Sequence, residues 1–378
     1  MHMSDVQEML ARFEQVAAHP KAQLDAYLDE GRRVIGVGPY HVPEEIIHAA
    51  GAVPFGVWGM RAPVSRAKEY FPPFYCSICQ TTLEAGLAGN LDGLSGLVVT
   101  GLCDTLRAFS QNWRVACGQH IPMIFLANAQ NRGCEAGLEF QIASYGDFRR
   151  DVEECAGALV TDEALSASIR LYNQWRAAMR EFLALAAQRP AMVSNAQRVA
   201  VVNSGYYMDK AEHLEALRAL NQELSAAPAD PATCRRVVLS GIYEDISAIT
   251  DMLDEMGYVV VADDLAKESR ALSRDIAEQG DPLVALARGW CSLSNDSVLY
   301  DPCKRHVEHV VEIARDAGAD GVILLLAKFC DPEEFDAPLV ARACREAGIP
   351  FLSIEVDQST ESYGQARTQL ETFADLIE

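Results

Sequence analysis

Apolar and polar positions recur along this chain in two ways, and their order predicts its architecture. Short unbroken apolar runs, such as Val322 to Ala327 in GVILLLAKFCDPEEFDAPLV, are too short for globular helices and fit parallel strands buried on both faces. Similar runs predict strands over 33–37, 53–58, 96–102, 122–126, 236–242, 257–263 and 349–356. Between them, apolar residues return at helical spacing, as at Val6, Met9, Leu10, Phe13 and Val16 in an opening segment that ends near Gly31. Long stretches rich in Ala, Leu and Arg, interrupted at Pro190, predict helices from Tyr145 to the end of the second century. Residues 267–301, with Trp290-Cys291, show no clear period and read as a loop over a site. The fold class is therefore α/β, with two Rossmann-like open parallel-sheet domains and added helices. The expected division is an N-terminal helical segment (1–31), a first α/β domain (32–144), a helical connector (145–200) and a second α/β domain (201–378).

The junctions between strands and helices hold the candidate chemistry. After the run at 322–327 comes Cys330, then Asp331 as the expected helix cap, Pro332 in the first turn, and Glu333 and Glu334 where the helix dipole favours acids. LSGLVVTGLCDTLRAF repeats this grammar with Cys103 and Asp104, so two cysteines mark two strand ends, where open α/β sheets bind ligands. The echo hints at duplication. Gly36-Val37-Gly38 lacks the third glycine of a dinucleotide fingerprint and reads as a tight turn. In PPFYCSICQTTLEAG, Cys76 and Cys79 form a Cys-x-x-Cys pair with four readings open: half a zinc site, a redox dithiol, two buried structural cysteines, or a contribution to an iron cluster. The last would gather Cys76, Cys103 and Cys330 at adjacent loops and leave one iron open. Phe74, Leu102 and Phe329 would then flank the ligands and shield them.

Composition narrows the classes. With 378 residues and 49% hydrophobic content the chain buries large cores, while a net charge of −22 argues against a nucleic-acid surface. Lys304-Arg305-His306, the nearest approach to a basic cluster, reads as the solvated start of a helix. No apolar stretch reaches eighteen residues and no signal-peptide core is visible, so the chain reads as cytoplasmic, without a membrane or nucleic-acid partner. Eleven cysteines, an odd number, argue for free thiols or metal ligands over a disulfide framework. Glu44 and Glu45 read as solvent-facing dipole partners. His41, His306 and His309 offer no ligand set beyond an i, i+3 pair typical of a helix surface. Cys117, Cys134, Cys155, Cys234, Cys291, Cys303 and Cys344 lie in no motif.

FYCSICQTTLE, GLCDTLRAFSQNW, AKFCDPEEFDAPLV and GQARTQLETF resemble the 2-hydroxyacyl-CoA dehydratase component D family, in the 2-hydroxyglutaryl beta-subunit type; its superfamily includes benzoyl-CoA reductase subunits. YHVPEEIIHAAGAVPFGVWG and ADDLAKESR extend the likeness over nearly the whole chain. The resemblance implies a [4Fe-4S] cluster on Cys76, Cys103 and Cys330, a heterodimer with a related alpha subunit that binds most of the acyl-CoA, and a separate ATP-hydrolysing iron–sulfur activator. It also implies a hydro-lyase. Removing water from a 2-hydroxyacyl thioester breaks a C–H bond that no carbonyl acidifies, so general-base chemistry alone fails. One electron added to the thioester carbonyl lets the hydroxyl leave and acidifies the beta position, after which the electron returns. Cys79 reads as a small core residue. A reductase subunit of the benzoyl-CoA type, or a double-cubane cluster protein, is the alternative, and Gln369, where relatives are expected to carry Arg, does not name the acyl chain.

Overall fold

The computed structural model describes residues 3–59, 62–233, 235–242, 247–359 and 362–377. Two helices open the chain, α1 (Met3–Ala18) and α2 (Pro20–Asp29). The first α/β unit follows as β1 (Val34–Val37), α3 (Glu44–Ala49), β2 (Val53–Gly56), α4 (Ser77–Leu87), β3 (Gly96–Thr100), α5 (Asp104–Ala116) and β4 (Met123–Leu126). Four long helices come next: α6 (Glu135–Ala156), α7 (Asp162–Ala187), α8 (Asn195–Tyr207) and α9 (Lys210–Ala226). The second unit is β5 (Arg236–Gly241), α10 (Ser247–Glu255), β6 (Val259–Leu265), α11 (Pro282–Cys291), α12 (Arg305–Asp316), β7 (Gly321–Ala327), α13 (Asp331–Glu346), β8 (Phe351–Val356) and α14 (Gly364–Leu376).

Both sheets are four-stranded and wholly parallel, in the orders β2-β1-β3-β4 and β6-β5-β7-β8. These are the same topology. Helices cover both faces, which is why the strands are apolar almost throughout: Val34, Ile35, Leu97, Val98, Val237, Val238, Val322 and Ile323 are all fully buried. The strand order reverses between β1 and β3, and again between β5 and β7, so each sheet has a switch point at its centre. Cys103 follows β3 and Cys330 follows β7, equivalent strands in the two units.

Two expectations change. Helices run from Glu135 to Ala226 rather than over 145–200 alone. The stretch around Val199, Val201 and Val202 has strand-like composition but is helical because α8 packs between α1, α10 and β2, burying it on every side. Residues 267–301 are also largely ordered. They contain a π-turn over Ala266–Arg270 and then α11, whose cap Asp281 accepts from the amides of Leu283 and Val284. The beginning expected for α10 at Asp245 lies outside the described residues, as does Cys234.

Charge buried inside the second unit holds these pieces in place. Arg270 grips Asp264 with two bonds of 2.9 Å, and His306 Nε2 lies 2.8 Å from the same carboxylate. His306 is thus buried, not a helix-surface residue, and Asp336 lies on its other side at 3.7 Å. Burial opposes its charge, but Asp264 and Asp336 outweigh that and raise its pKa to about 9. A histidine whose folded pKa exceeds its unfolded value near 6.5 contributes stability that is complete below pH 6.5 and lost as pH rises through 9. His306→Gln is therefore expected to cost about 3 kcal/mol at pH 6 and much less at pH 9.5. Urea unfolding of both proteins at the two pH values measures this, and a pH-independent difference would refute it.

Candidate functional site

Among the described residues, four helices start on a cysteine. Cys76, Cys103, Cys134 and Cys330 are the N-cap residues of α4, α5, α6 and α13. Asp104 and Asp331 are therefore not the caps expected from the sequence; they are the first helical residues, because the backbone is still non-helical at each cysteine (φ −138°, ψ 170° at Cys103). None of the sulfurs closes a full capping hydrogen bond. Even so, the amides of Ile78 and Cys79 face Cys76, those of Thr105 and Leu106 face Cys103, and that of Glu333 faces Cys330, each favouring thiolate.

Cys76, Cys103 and Cys330 meet at the seam between the two sheets, and Cys134 does not join them. Cys76 packs against the hydrophobic cores of both units. Together with Cys79, the three thiols line one cavity whose other walls include Tyr40, Ile78, Leu102, Ile242 and Val298. A groove on the outer side is also lined by Cys76, Cys103 and Cys330 but not by Cys79. Cys79 therefore faces inward only. Hydrogen bonding between its thiol and that of Cys76 is the main reason the Cys76 pKa falls and that of Cys79 rises. Burial pushes Cys103 up to about 12, and burial with the Glu333 carboxylate nearby raises Cys330 as well. Of the flanking apolar residues expected, Leu102 walls the cavity and Phe329 the groove, but Phe74 points into solvent with 66% of its surface exposed.

Each cysteine is positioned from a different direction. The turn before Cys330 places Phe329 in the left-handed region (φ 61°), a conformation that costs about 1–2 kcal/mol for a side chain with a Cβ. Glu334 Oε1 accepts from the Phe329 amide at 2.9 Å and holds the turn. Glu333, buried in the first turn of α13, accepts from the Ile242 amide and the Ser297 hydroxyl, both at 3.2 Å, and lies 3.4 Å from Arg270. Arg270 thus ties the Cys330 helix to β5 and β6. Cys76 is held through Gln358, which follows β8. The Gln358 side chain accepts from Thr81 Oγ1 at 2.8 Å and donates to the Trp58 carbonyl at 3.0 Å, while its amide donates to Ser77 Oγ at 3.1 Å. At Gly59 (φ 82°) an added Cβ would come within 2.2 Å of Gln358 Oε1, so only glycine lets the chain pass.

Residues read as surface features also turn inward here. Glu45 is buried and paired with Arg176 at 2.8 Å, and Glu44 lies 3.1 Å from both Lys210 and the Tyr172 hydroxyl. His41, in the left-handed region, lies 2.8 Å from Asp296, whose other oxygen accepts from Tyr40 at 2.8 Å. The sequence signal for this interior charge was ADDLAKESR, where Asp263, Asp264, Lys267, Glu268 and Arg270 are all buried. Among the described residues, no three Cys, His, Asp or Glu side chains are grouped so that they could hold a single metal ion. Nor is any described helix long and apolar enough to cross a membrane.

Fold and site together define a class of α/β protein in which two parallel-sheet units close a thiol-lined cavity between their strand ends. The chain belongs to the family described as 2-hydroxyglutaryl-CoA dehydratase, D-component, whose model matches residues 39–377. It is 41% identical over 377 residues to the beta subunit of (R)-2-hydroxyglutaryl-CoA dehydratase of Acidaminococcus fermentans, covering 98% of this chain and 100% of that one. Identity to the beta subunit of (R)-phenyllactyl-CoA dehydratase of Clostridium sporogenes is 38%, over 99% and 100% of the two chains. A benzoyl-CoA reductase subunit of Thauera aromatica is more distant, at 28% over 92% of each.

Gln358→Leu removes the clamp on α4 and leaves the Trp58 carbonyl without its donor. Stability is expected to fall by about 1–3 kcal/mol, and Cys76 in metal-free protein to be alkylated several-fold faster. Thermal unfolding and mass mapping of iodoacetamide labelling test this; unchanged labelling in a destabilised variant would sever Gln358 from Cys76.

Proposed function

We propose that this chain is the beta subunit of an oxygen-sensitive (R)-2-hydroxyacyl-CoA dehydratase of the 2-hydroxyglutaryl type, working in the cytoplasm with a related alpha subunit and an ATP-hydrolysing iron–sulfur activator. The carrying observation is full-length identity of 41% to a dehydratase beta subunit. The division into a first α/β domain bearing Cys76 and Cys103 and a second bearing Cys330 belongs to this reading. So does a [4Fe-4S] cluster held by these three thiolates. The donor set fits such a group: three thiols from separate helix starts line the same apolar cavity and the same groove, and irons in a cluster need thiolates spread around them rather than converging on one ion. When bound, the cluster supplies a one-electron relay.

The chain's own residues prepare that place. Unspent amides at three helix N-termini favour negative charge on the sulfurs, and Tyr40, Leu102, Ile242 and Val298 keep water from the inner side. Cys79 acts as donor to Cys76 rather than as a ligand. The outer groove includes Phe335, which is 76% exposed, and Arg107, and is where the alpha subunit, with most of the acyl-CoA pocket, would cover the site. The reductase reading draws on the 28% relative and is the weaker of the two.

Cys103→Ser and Cys330→Ser are each expected to fold yet lose the cluster, because iron prefers thiolate to a serine hydroxyl. Cys79→Ala should retain about four irons and four sulfides per chain. Anaerobic iron and sulfide analysis with electron paramagnetic resonance of the reduced protein reads both, and full iron in either serine variant would overturn the ligand assignment.

For the role itself, the chain with activator, ATP and reductant but no alpha subunit should not dehydrate a 2-hydroxyacyl-CoA. Adding the cognate alpha subunit should start turnover with far less than one ATP per product, since the electron is recycled. Dehydration by this chain unaided would refute the assignment, and ATP use in step with product would favour a reductase.

A further inference from the structure

A second cavity lies behind Tyr40 on the side away from the thiols, between α3, α7, α8 and the segment that follows the π-turn. Its walls are aromatic, including Trp58, Tyr145, Tyr172, Trp175 and Tyr206, with the charged groups of Glu44, Glu45, Arg176 and Arg274 set among them. The charges do not balance. Glu44 is paired with Lys210 and Glu45 with Arg176, which leaves the Arg274 guanidinium with no hydrogen-bond or ion-pair partner among the described residues. Its Nε is buried and unsatisfied, as is that of Arg176, whose nearest further carboxylate, Asp275, stands at 4.0 Å. Burial, helped by the neighbouring Arg176 charge, lowers the Arg274 pKa to about 10, and Tyr145, Glu45 and Asp296, which act on it only through space, are too weak to offset this.

The Arg274 side chain is partly exposed, with its Nε shut off from water, and the backbone that carries it is held in place. Asn173 bonds both the amide and the carbonyl of Ile276 at 2.8 Å, fixing the backbone two residues beyond Arg274. Arg270 anchors it four residues before. Part exposure of Val42, Ala271 and Arg274 leaves a way in from solvent. A planar fork with free donors, in a pocket of aromatic faces, matches a carboxylate attached to an apolar body.

We propose that this cavity binds a small organic monocarboxylate, with Arg274 pairing to the carboxylate and the Trp58, Trp175 and Tyr206 side chains enclosing its apolar portion. The occupant is distinct from the cluster and from the CoA thioester, and the site stands whether or not the dehydratase reading does.

Trp58 and Trp175 line the cavity and report on it. The full chain, purified anaerobically with any subunit that accompanies it, would be titrated with benzoate and with butyrate while tryptophan fluorescence and thermal unfolding are followed. Saturable change with benzoate, absent with its neutral isostere benzamide and weakened about tenfold or more in Arg274→Gln, is the expected result. Arg274→Lys keeps the charge without the fork, should bind with intermediate affinity, and serves if the glutamine variant fails to fold. In the absence of carboxylate, Arg274→Met should unfold at no lower a temperature than the native chain, because the guanidinium has no protein partner to lose. No saturable response to either carboxylate up to the order of 10 mM, equal binding of benzamide, or undiminished binding by Arg274→Gln would overturn the proposal. Tighter binding of inorganic phosphate or chloride than of benzoate would overturn the carboxylate assignment, and a lowered melting temperature in Arg274→Met would mean that the guanidinium is already paired.

Discussion

A single buried guanidinium, that of Arg270, joins the parts of this molecule that sequence separation would leave independent. It lies between Asp264 at the end of β6 and Glu333 in the first turn of α13, with the Ser297 hydroxyl in hydrogen-bond reach and His306 sharing the Asp264 carboxylate. Removing such charges from water costs several kcal/mol per ion, and mutual pairing offsets that only when every partner is in place. The consequence is cooperative. Strand end, π-turn, α12 and the Cys330 helix take their positions together, and loss of one partner leaves the others as buried unpaired charge.

The same logic of opposed charge shapes the thiol cavity. Three helices bring their positive ends to one apolar space, an arrangement unfavourable in itself and relieved by negative charge on the sulfurs. Burial acts the other way, raising Cys103 and Cys330. Protons therefore stay on these two sulfurs, and any metal bound there would have to displace them. The polar interior of the second unit and the amides of the helix starts answer the two halves of this problem separately.

Much of this was legible in the chain. Apolar runs bounded by glycine and polar residues placed the strands, and the repeated Cys-Asp junction placed Cys103 and Cys330 at equivalent strand ends. What failed were readings that depend on distant partners. Glu45 has the sequence position of a solvent-facing dipole residue, but Arg176 arrives from 131 residues away to bury it. His306 looked like helix surface because Asp264, its partner, lies on another element 42 residues earlier. Local pattern also misjudged the caps, since Asp is the commoner cap residue and only the backbone angles reveal that each helix begins one residue sooner.

The split of the cysteines between two units of identical topology bears on how the site can fail. Cys76 and Cys103 belong to the first unit, the strand end that carries Cys330 belongs to the second, and Gln358, which fixes α4, follows the last strand. Neither unit alone carries all three thiols. A movement of one unit against the other would pull the cysteines apart, so whatever fills the cavity acts as a rivet between the two sheets.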